Sequence, residues 1–296
     1  MIKAIVMDMD GTLLNEKNEI SPLTKKVLME VQKKGIRLIL ASGRSYTRLM
    51  PYAKQLEMEK YGGLLLEVDG IAEYDLASDT RHKFKVMQPN EVAEFFDWFI
   101  AKQNCEPMAC FDDGLFDYFP ASLKPVKEKL RQERNVSEDH PWTAGPFSWL
   151  EDLRKGYPHI SYIKKGNEIS RDVNKLQVMA NEEDIPALFD EALNAFGEQF
   201  EVFRTTPRQL EVLPKGFSKG KTLQRMMQEH GWKEDEILAF GDGENDVSLF
   251  EVVKHSYAMK NALPFVQEQA EHVTRFSNRE DGIGKELMDL LEIEGE

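Results

Sequence analysis

Two aspartates one residue apart, Asp8 and Asp10, directly follow a short apolar run at residues 2–7. In an extended segment residues i and i+2 face the same way, so their carboxylates converge on one point. Gly11 behind them permits a sharp turn of the backbone. A second pair, Asp242 and Asp246, follows another apolar run in Gly241-Asp242-Gly243-Glu244-Asn245-Asp246. Four carboxylates gathered at one edge repel one another strongly unless a cation lies among them. Hard oxygen donors with no thiolate or imidazole nearby suit Mg²⁺. The competing reading, solvated loop acids, accounts for one such pair more easily than for two.

Two further segments can bind an anion. Ser42-Gly43-Arg44 offers a hydroxyl and backbone N–H groups at a helix start, which is either a phosphate site or an ordinary N-cap. Lys215, Lys219 and Lys221 cluster before another helix, where a lysine reaches a phosphate or simply faces solvent. Residues 216–222 imitate a phosphate-binding P-loop but have three residues between the glycines where that loop needs four. Gly241-Asp242-Gly243 imitates a dinucleotide fingerprint, with Asp246 standing where the third glycine belongs.

The elements that must hold these residues follow from the pattern. Residues 2–7, 36–41 and 64–68 are apolar runs of strand length, the profile of strands buried on both faces. Between them lie helical stretches, the first opened by Ser21-Pro22 and closed by Lys33-Lys34-Gly35. This β-α-β-α-β order implies parallel strands, whose ligands bind beyond their carboxyl ends. From about residue 79 the pattern turns to α+β. A hairpin is expected at 110–116 around Asp113-Gly114, helices at 91–102 and 185–196, and strands at 157–164 and 175–179. The α/β pattern resumes at Gln209, with a helix at 218–228, a strand at 237–240, a helix at 246–253 and a strand at 256–259. One parallel-sheet core built from 1–78 and 207–296, with 79–206 inserted as a separate domain, is therefore expected.

Composition narrows the rest. The chain has 296 residues, 52 acidic and 38 basic, for a net charge of −14. That excess argues against a nucleic-acid or anionic-membrane surface while leaving room for one locally positive pocket. Two cysteines, Cys105 and Cys110, are too few for a disulfide framework, and six scattered histidines, His140 among them, form no zinc spacing. With no secretory signal or long apolar run, a cytoplasmic location is expected. The last residues, 292–296, are expected to fray.

Asp8-Met9-Asp10-Gly11-Thr12-Leu13-Leu14, Ser42-Gly43-Arg44, Lys219-Gly220 and Gly241-Asp242-Gly243-Glu244-Asn245-Asp246 together resemble, in order, the four motifs of the haloacid dehalogenase-like hydrolases. The large insert after the third strand is similar to the Cof-type subfamily with its C2B cap. Met259-Lys260-Asn261-Ala262 and Glu280-Asp281-Gly282 resemble that subfamily's C-terminal signatures. The motifs span the core, about half of the chain; the cap matches in position and element type only.

The resemblance implies a Rossmann-like parallel-sheet core and a Mg²⁺-dependent phosphatase acting on small phosphorylated metabolites, sugar phosphates foremost. Asp8 would be the nucleophile, forming an aspartyl-phosphate, and Asp10 the general acid and base. Asp8, the Asp10 carbonyl and Asp242 would hold Mg²⁺. Met9, Ser42, Gly43, Lys219 and Asn245 would bind the phosphoryl group, with Arg44, Asp246 and Asn261 in support. An Asp at position 10 is implied for phosphate esters and lacking in the dehalogenase branch. To act as an acid, Asp10 is expected to be partly desolvated and near other carboxylates, which would raise its pKa. Phe111, Phe116 and Tyr118 are candidate cap contacts or, equally, hairpin packing. Asp69 stands where the family has Asn, and Lys260 where Gly is common. A phosphomutase or phosphotransferase, and a non-catalytic phosphosugar-binding regulator, are the alternatives.

Overall fold

The computed structural model describes residues 1–118, 120–137, 154 and 156–293. His140 and the end of the 292–296 segment lie outside them. The chain falls into two compact units, Met1–Phe84 with Phe217–Glu296, and Lys85–Gly216.

The first unit begins with β1 (Ala4–Met7), α1 (Pro22–Lys33), β2 (Arg37–Ala41), α2 (Tyr46–Gln55), β3 (Leu64–Glu67), β4 (Ala72–Asp75) and β5 (Thr80–Lys83). Ser21 caps α1, its Oγ accepting from the Thr24 N–H at 3.1 Å, an arrangement that stabilises a helix by about 1 kcal/mol. Gly35 then leaves the helix in the left-handed region, at φ +83°.

The second unit holds α3 (Pro89–Lys102), β6 (Cys105–Phe111), β7 (Gly114–Asp117), α4 (Lys124–Glu133), β8 (His159–Tyr162), β9 (Lys175–Ala180), α5 (Ile185–Phe196), β10 (Phe200–Thr206) and β11 (Gln209–Pro214). Its sheet runs β10-β11-β9-β6-β7-β8, antiparallel except for β7 and β8. Phe95, Phe96 and Phe99 of α3 and Phe196 of α5 pack with Phe200 into its core. Such aromatics each bury enough area to dominate a small core. Phe111 and Phe116 belong to this core and Tyr118 packs against it, so hairpin packing is the role the structure gives them. The hairpin turn is Asp112-Asp113, one residue earlier than expected, because Phe111 pairs with Gly114. Gly114 sits in the strand because a Cβ there would meet the His159 carbonyl at 2.1 Å.

The chain returns to the first unit with α6 (Lys219–His230), β12 (Ile237–Gly241), α7 (Val247–Phe250), β13 (His255–Ala258), α8 (Pro264–Gln267), β14 (His272–Val273) and α9 (Gly282–Leu290). The eight-stranded sheet has the order β14-β13-β12-β1-β2-β3-β4-β5. It is parallel from β14 to β3, with β4 and β5 added antiparallel. Alternate strand residues supply two apolar faces. Ile5, Met7, Leu38, Leu40 and Phe240 lie on one, and Val6, Ile39, Ala41, Leu66 and Ala239 on the other. That doubly buried character is why the strands read as unbroken apolar runs.

The unit boundaries fall at 84/85 and 216/217 rather than at 78/79 and 206/207. The hairpin of β4 and β5 extends the first sheet, and β11 folds back on β10 in the second. β11 is wholly buried and so imitates a core strand in sequence. The expected helix at 246–253 shortens to one turn, preceded by a 3₁₀ turn at Glu244–Asp246.

Candidate active site

β1 lies between β2 and β12, with the chain leaving in opposite directions on its two sides. This is the point where strand order reverses, the place beyond the strand ends where open α/β sheets bind their ligands. Asp8 follows β1, Ser42 follows β2, Asp69 follows β3 and Asp242 follows β12, so sequence-distant groups meet at one edge.

Lys219, at the first turn of α6, is fully buried and donates to Asp8 Oδ1 at 2.6 Å and to Asp246 Oδ1 at 2.7 Å. Asp69 Oδ1 lies 3.9 Å from the same ammonium. Of the three lysines considered, Lys219 alone enters this cluster: Lys215 donates to the Gly197 carbonyl and Lys221 is exposed. Close packing places α6. A Cβ at Gly220 would lie 1.8 Å from the Ser248 carbonyl, so only glycine lets α6 approach α7. Thr222 Oγ1 donates to the Gly70 carbonyl, which gives the imitation P-loop a packing role.

Asp246 is a hub. Its Oδ1 accepts a hydrogen bond from the Lys219 ammonium, and its Oδ2 accepts the backbone N–H groups of Asp242 and Gly243, both at 3.0 Å. Asp242 in turn accepts from Thr12 Oγ1 at 2.6 Å. Asp8, Asp242 and Asp246 each offer an oxygen within 4.8 Å of the others, the only such group among the described residues. The cation among these acids is therefore, in part, Lys219 itself.

Charge crowding shows in the protonation tendencies. Burial pushes the Asp8 carboxyl well above its usual range; Lys219 opposes this, and Asp246, Asp242 and Asp10 add to it. Burial and the nearby Asp246 push Asp242 up to about 7. Burial alone would lower Lys219, but Asp246, Asp8 and Asp69 hold its pKa well above the usual range for lysine. An all-oxygen donor set in which Asp8 and Asp242 resist ionisation suits a hard divalent cation.

Asp10 departs from expectation. Its side chain is about half exposed (55 %) and is gripped by Arg44, whose Nε donates to Oδ2 at 2.8 Å and whose Nη2 donates to Oδ1. Desolvation would raise its pKa, but the guanidinium outweighs that and holds the carboxyl below its usual range. In this conformation Asp10 is ionised, and its carboxylate is outside the Asp8–Asp242–Asp246 group.

The remaining expected residues divide. Ser42 Oγ accepts the Arg44 N–H at 3.2 Å, an N-cap-like contact within the loop. The backbone of that loop joins the end of β3, with Ser42 N–H donating to Leu66 and Asp69 N–H to Ser42. Met9 is buried, and its carbonyl accepts the Leu14 N–H at 2.9 Å, closing the turn after β1. Gly43 is partly buried. Asn245 Nδ2 donates to Asp69 Oδ1 at 2.8 Å. Asn261 braces the turn after Asp10 by donating to the Gly11 carbonyl at 2.8 Å and accepting the Asn278 N–H at 3.0 Å. Thr12 falls within a motif, but its spacing from Asp8 gives no sign of its partner Asp242. Asp69 stands out in sequence only as a departure from the family's Asn, with nothing to mark it as a neighbour of Lys219. Glu67, buried at the end of β3, accepts from Tyr46 N–H and from both Arg81 Nε and Nη2, each at 2.8 Å. Nothing in the local pattern marks it out.

A family model described as haloacid dehalogenase-like hydrolase matches residues 5–287. The 5-amino-6-(5-phospho-D-ribitylamino)uracil phosphatase YwtE of Bacillus subtilis is 25% identical over 300 residues, covering 98% of this chain and 98% of that protein. A haloacid dehalogenase-like hydrolase from Bacteroides thetaiotaomicron superposes with a TM-score of 0.75 at 27% identity, over 98% of this chain and 100% of that one. The subclass IIB sugar phosphatase BT4131 gives a TM-score of 0.74 at 22% identity, over 99% of this chain and 100% of that one, a likeness of fold. Since the family match runs unbroken through both segments of the parallel-sheet unit and everything between, the chain belongs to the haloacid dehalogenase-like hydrolases of the Cof type.

Proposed function

We propose that the chain is a Mg²⁺-dependent phosphomonoester hydrolase for small phosphorylated metabolites, sugar phosphates foremost, working through an aspartyl-phosphate at Asp8. The observation that carries this is the buried Lys219 bound at once to Asp8 and Asp246 at the edge where β1 and β12 end. Relatives named as phosphatases, including the ribitylaminouracil phosphatase and the sugar phosphatase, support the substrate class.

Asp8, the Asp10 carbonyl and Asp242 would hold Mg²⁺, with Asp246 close by. The ion would supply positive charge that lets a carboxylate approach a phosphate dianion. Lys219 fixes one Asp8 oxygen, leaving the other to attack phosphorus. The new bond joins that oxygen to phosphorus, the ester P–O bond breaks, and the leaving oxygen takes a proton from Asp10. Water then attacks the same phosphorus, Asp10 takes its proton, and the Asp8–phosphorus bond breaks to release phosphate. The ionised Asp10 described above is ready for the second step. The first step requires it to leave Arg44 and gain a proton. Lys219, Asn245, Ser42 and the N–H groups at Met9 and Gly43 would bind the phosphoryl oxygens.

We assign leaving-group selection to the 85–216 unit, on the family resemblance. No helix among the described residues is long and apolar enough to cross a membrane. A cytoplasmic setting is part of the proposal, supported by two buried free thiols, Cys105 and Cys110. An aryl phosphate, then a panel of phosphorylated metabolites, tests the reading with and without Mg²⁺. Phosphate release that requires Mg²⁺ and disappears in Asp8→Asn is expected. Turnover that survives Asp8→Asn, or none with any ester, would overturn it.

A further inference from the structure

We propose that Asp69 is a positioning residue that loosens the hold of this site on inorganic phosphate, and so favours product release, while strengthening its hold on a divalent cation. The proposal rests on the phosphatase reading above. Asp69 is buried at the end of β3, with Oδ1 3.9 Å from Lys219 Nζ.

The backbone goes out of its way to place it there. Val68, Asp69 and Gly70 have successive φ values of +46°, +53° and +104°. For a β-branched valine this region is costly, and such strain persists only where neighbours enforce it. Here they do so from two sides. The Val68 and Asp69 N–H groups donate to the Arg44 and Ser42 carbonyls. On the other side Thr222 of α6 holds the Gly70 carbonyl, and a Cβ at Gly70 would meet the Ser218 carbonyl at 2.3 Å. The strained turn thus joins the anion loop to the helix that carries Lys219.

What Asp69 contributes at that point is charge. A lysine ammonium has three donors. Asp8 and Asp246 take two of them at 2.6 and 2.7 Å. At 3.9 Å Asp69 Oδ1 is too far to take the third, and it accepts the Asn245 amide instead at 2.8 Å. One ammonium donor is therefore left for a phosphoryl oxygen, with an extra negative charge behind it. A neutral amide at position 69 could accept from Asn245 equally well, without that charge. A phosphoryl oxygen bound about 2.8 Å beyond Nζ lies roughly 6–7 Å from Asp69, where an effective dielectric near 20 makes one unit charge worth about ten- to a hundredfold in affinity.

Asp69→Asn isolates this effect, since asparagine tolerates the left-handed region and keeps the shape. Calorimetric titration with inorganic phosphate in the presence of Mg²⁺, and with Mn²⁺ alone, reads both ligands without turnover. Phosphate is expected to bind about tenfold or more tighter and Mn²⁺ more weakly. In steady state kcat and KM should fall together where product release limits the rate. Phosphate affinity within twofold of wild type, or both ligands weakening together as for a merely structural residue, overturns the assignment. Lys219→Met separates the two readings. If wild type does not bind phosphate, or binds it indifferently to Lys219→Met, the site reading falls and Asp69's role with it. If binding depends on Lys219 but is unaltered in Asp69→Asn, the role of Asp69 alone falls.

Discussion

Replacing Lys219 with methionine tests the electrostatic design of the site most directly. Methionine roughly fills the volume of the lysine stem, so the main loss is the ammonium. That ammonium is fully buried and holds two carboxylates at 2.6 and 2.7 Å. Breaking a buried ion pair by removing one partner costs about 3–5 kcal/mol, because the remaining charge is stranded. For a unit of this size that corresponds to a fall in melting temperature of roughly 6–20 °C. The loss should depend on pH with a definite sign. Asp8 in the folded protein titrates above its ordinary 3.8, so its favourable contribution is present at low pH and lost as pH rises through the raised value. Without Lys219 that value rises further. The deficit of the variant should therefore be largest at alkaline pH and shrink on acidification, as the carboxyl takes up a proton. Thermal melts of both proteins by circular dichroism across that range, in chelator, measure it. A deficit under 1 kcal/mol, or one that does not vary with pH, would refute the claim that Lys219 holds this crowd of acids together.

Three other outcomes are expected. Gly11→Ala forces a Cβ to within 2.2 Å of Asp242 Oδ2 at a φ of +84°, and so should weaken divalent-cation affinity roughly 10–100-fold in a Mn²⁺ titration. Arg44→Ala removes the charge that keeps the Asp10 carboxyl low, so protonated Asp10 persists to higher pH and the alkaline limb of the kcat–pH profile should move upward. Lys127→Met strands Glu106 and Asp117 in the second unit, whose carboxyls burial already pushes up to about 7 and about 8. Its thermal deficit, about 3–5 kcal/mol, should open as pH rises through that range and shrink below it.

The parallel core was legible because strands buried on both faces must be apolar throughout, and because Asp8 and Asp242 stand directly where two such strands end. The chemistry sits at strand ends, so finding the strands found the acids. The hairpin of β4 and β5 was not visible: β5 is Thr80–Lys83, a polar edge strand with no apolar face to show. β11 misled for the opposite reason, since complete burial on an antiparallel sheet leaves the same trace as burial between helices. Within the site, Lys219 was separated from Lys215 and Lys221 by the match of Lys219-Gly220 to the family motif, and the tight approach of α6 to α7 gives that glycine its physical reason. The Arg44–Asp10 clasp was out of reach, because local spacing says nothing about which of two loops a flexible guanidinium will grip. The partnership of Asp69 with Asn245 joins residues far apart in the chain, and only the folded turn reveals it.

The salt link between Glu67 and Arg81 makes the outermost hairpin of the first sheet part of the foundation beneath the loop that joins β2 to α2. Arg81 lies on the edge strand, yet it neutralises a wholly buried glutamate whose other task is to hold the Tyr46 N–H at the start of α2. A rim that carries no reactive group therefore governs how firmly the loop of Ser42 and Arg44 is seated. A change at Arg81, or in the length of the turn at 76–79 that sets the register of its strand, would therefore be felt across three strands.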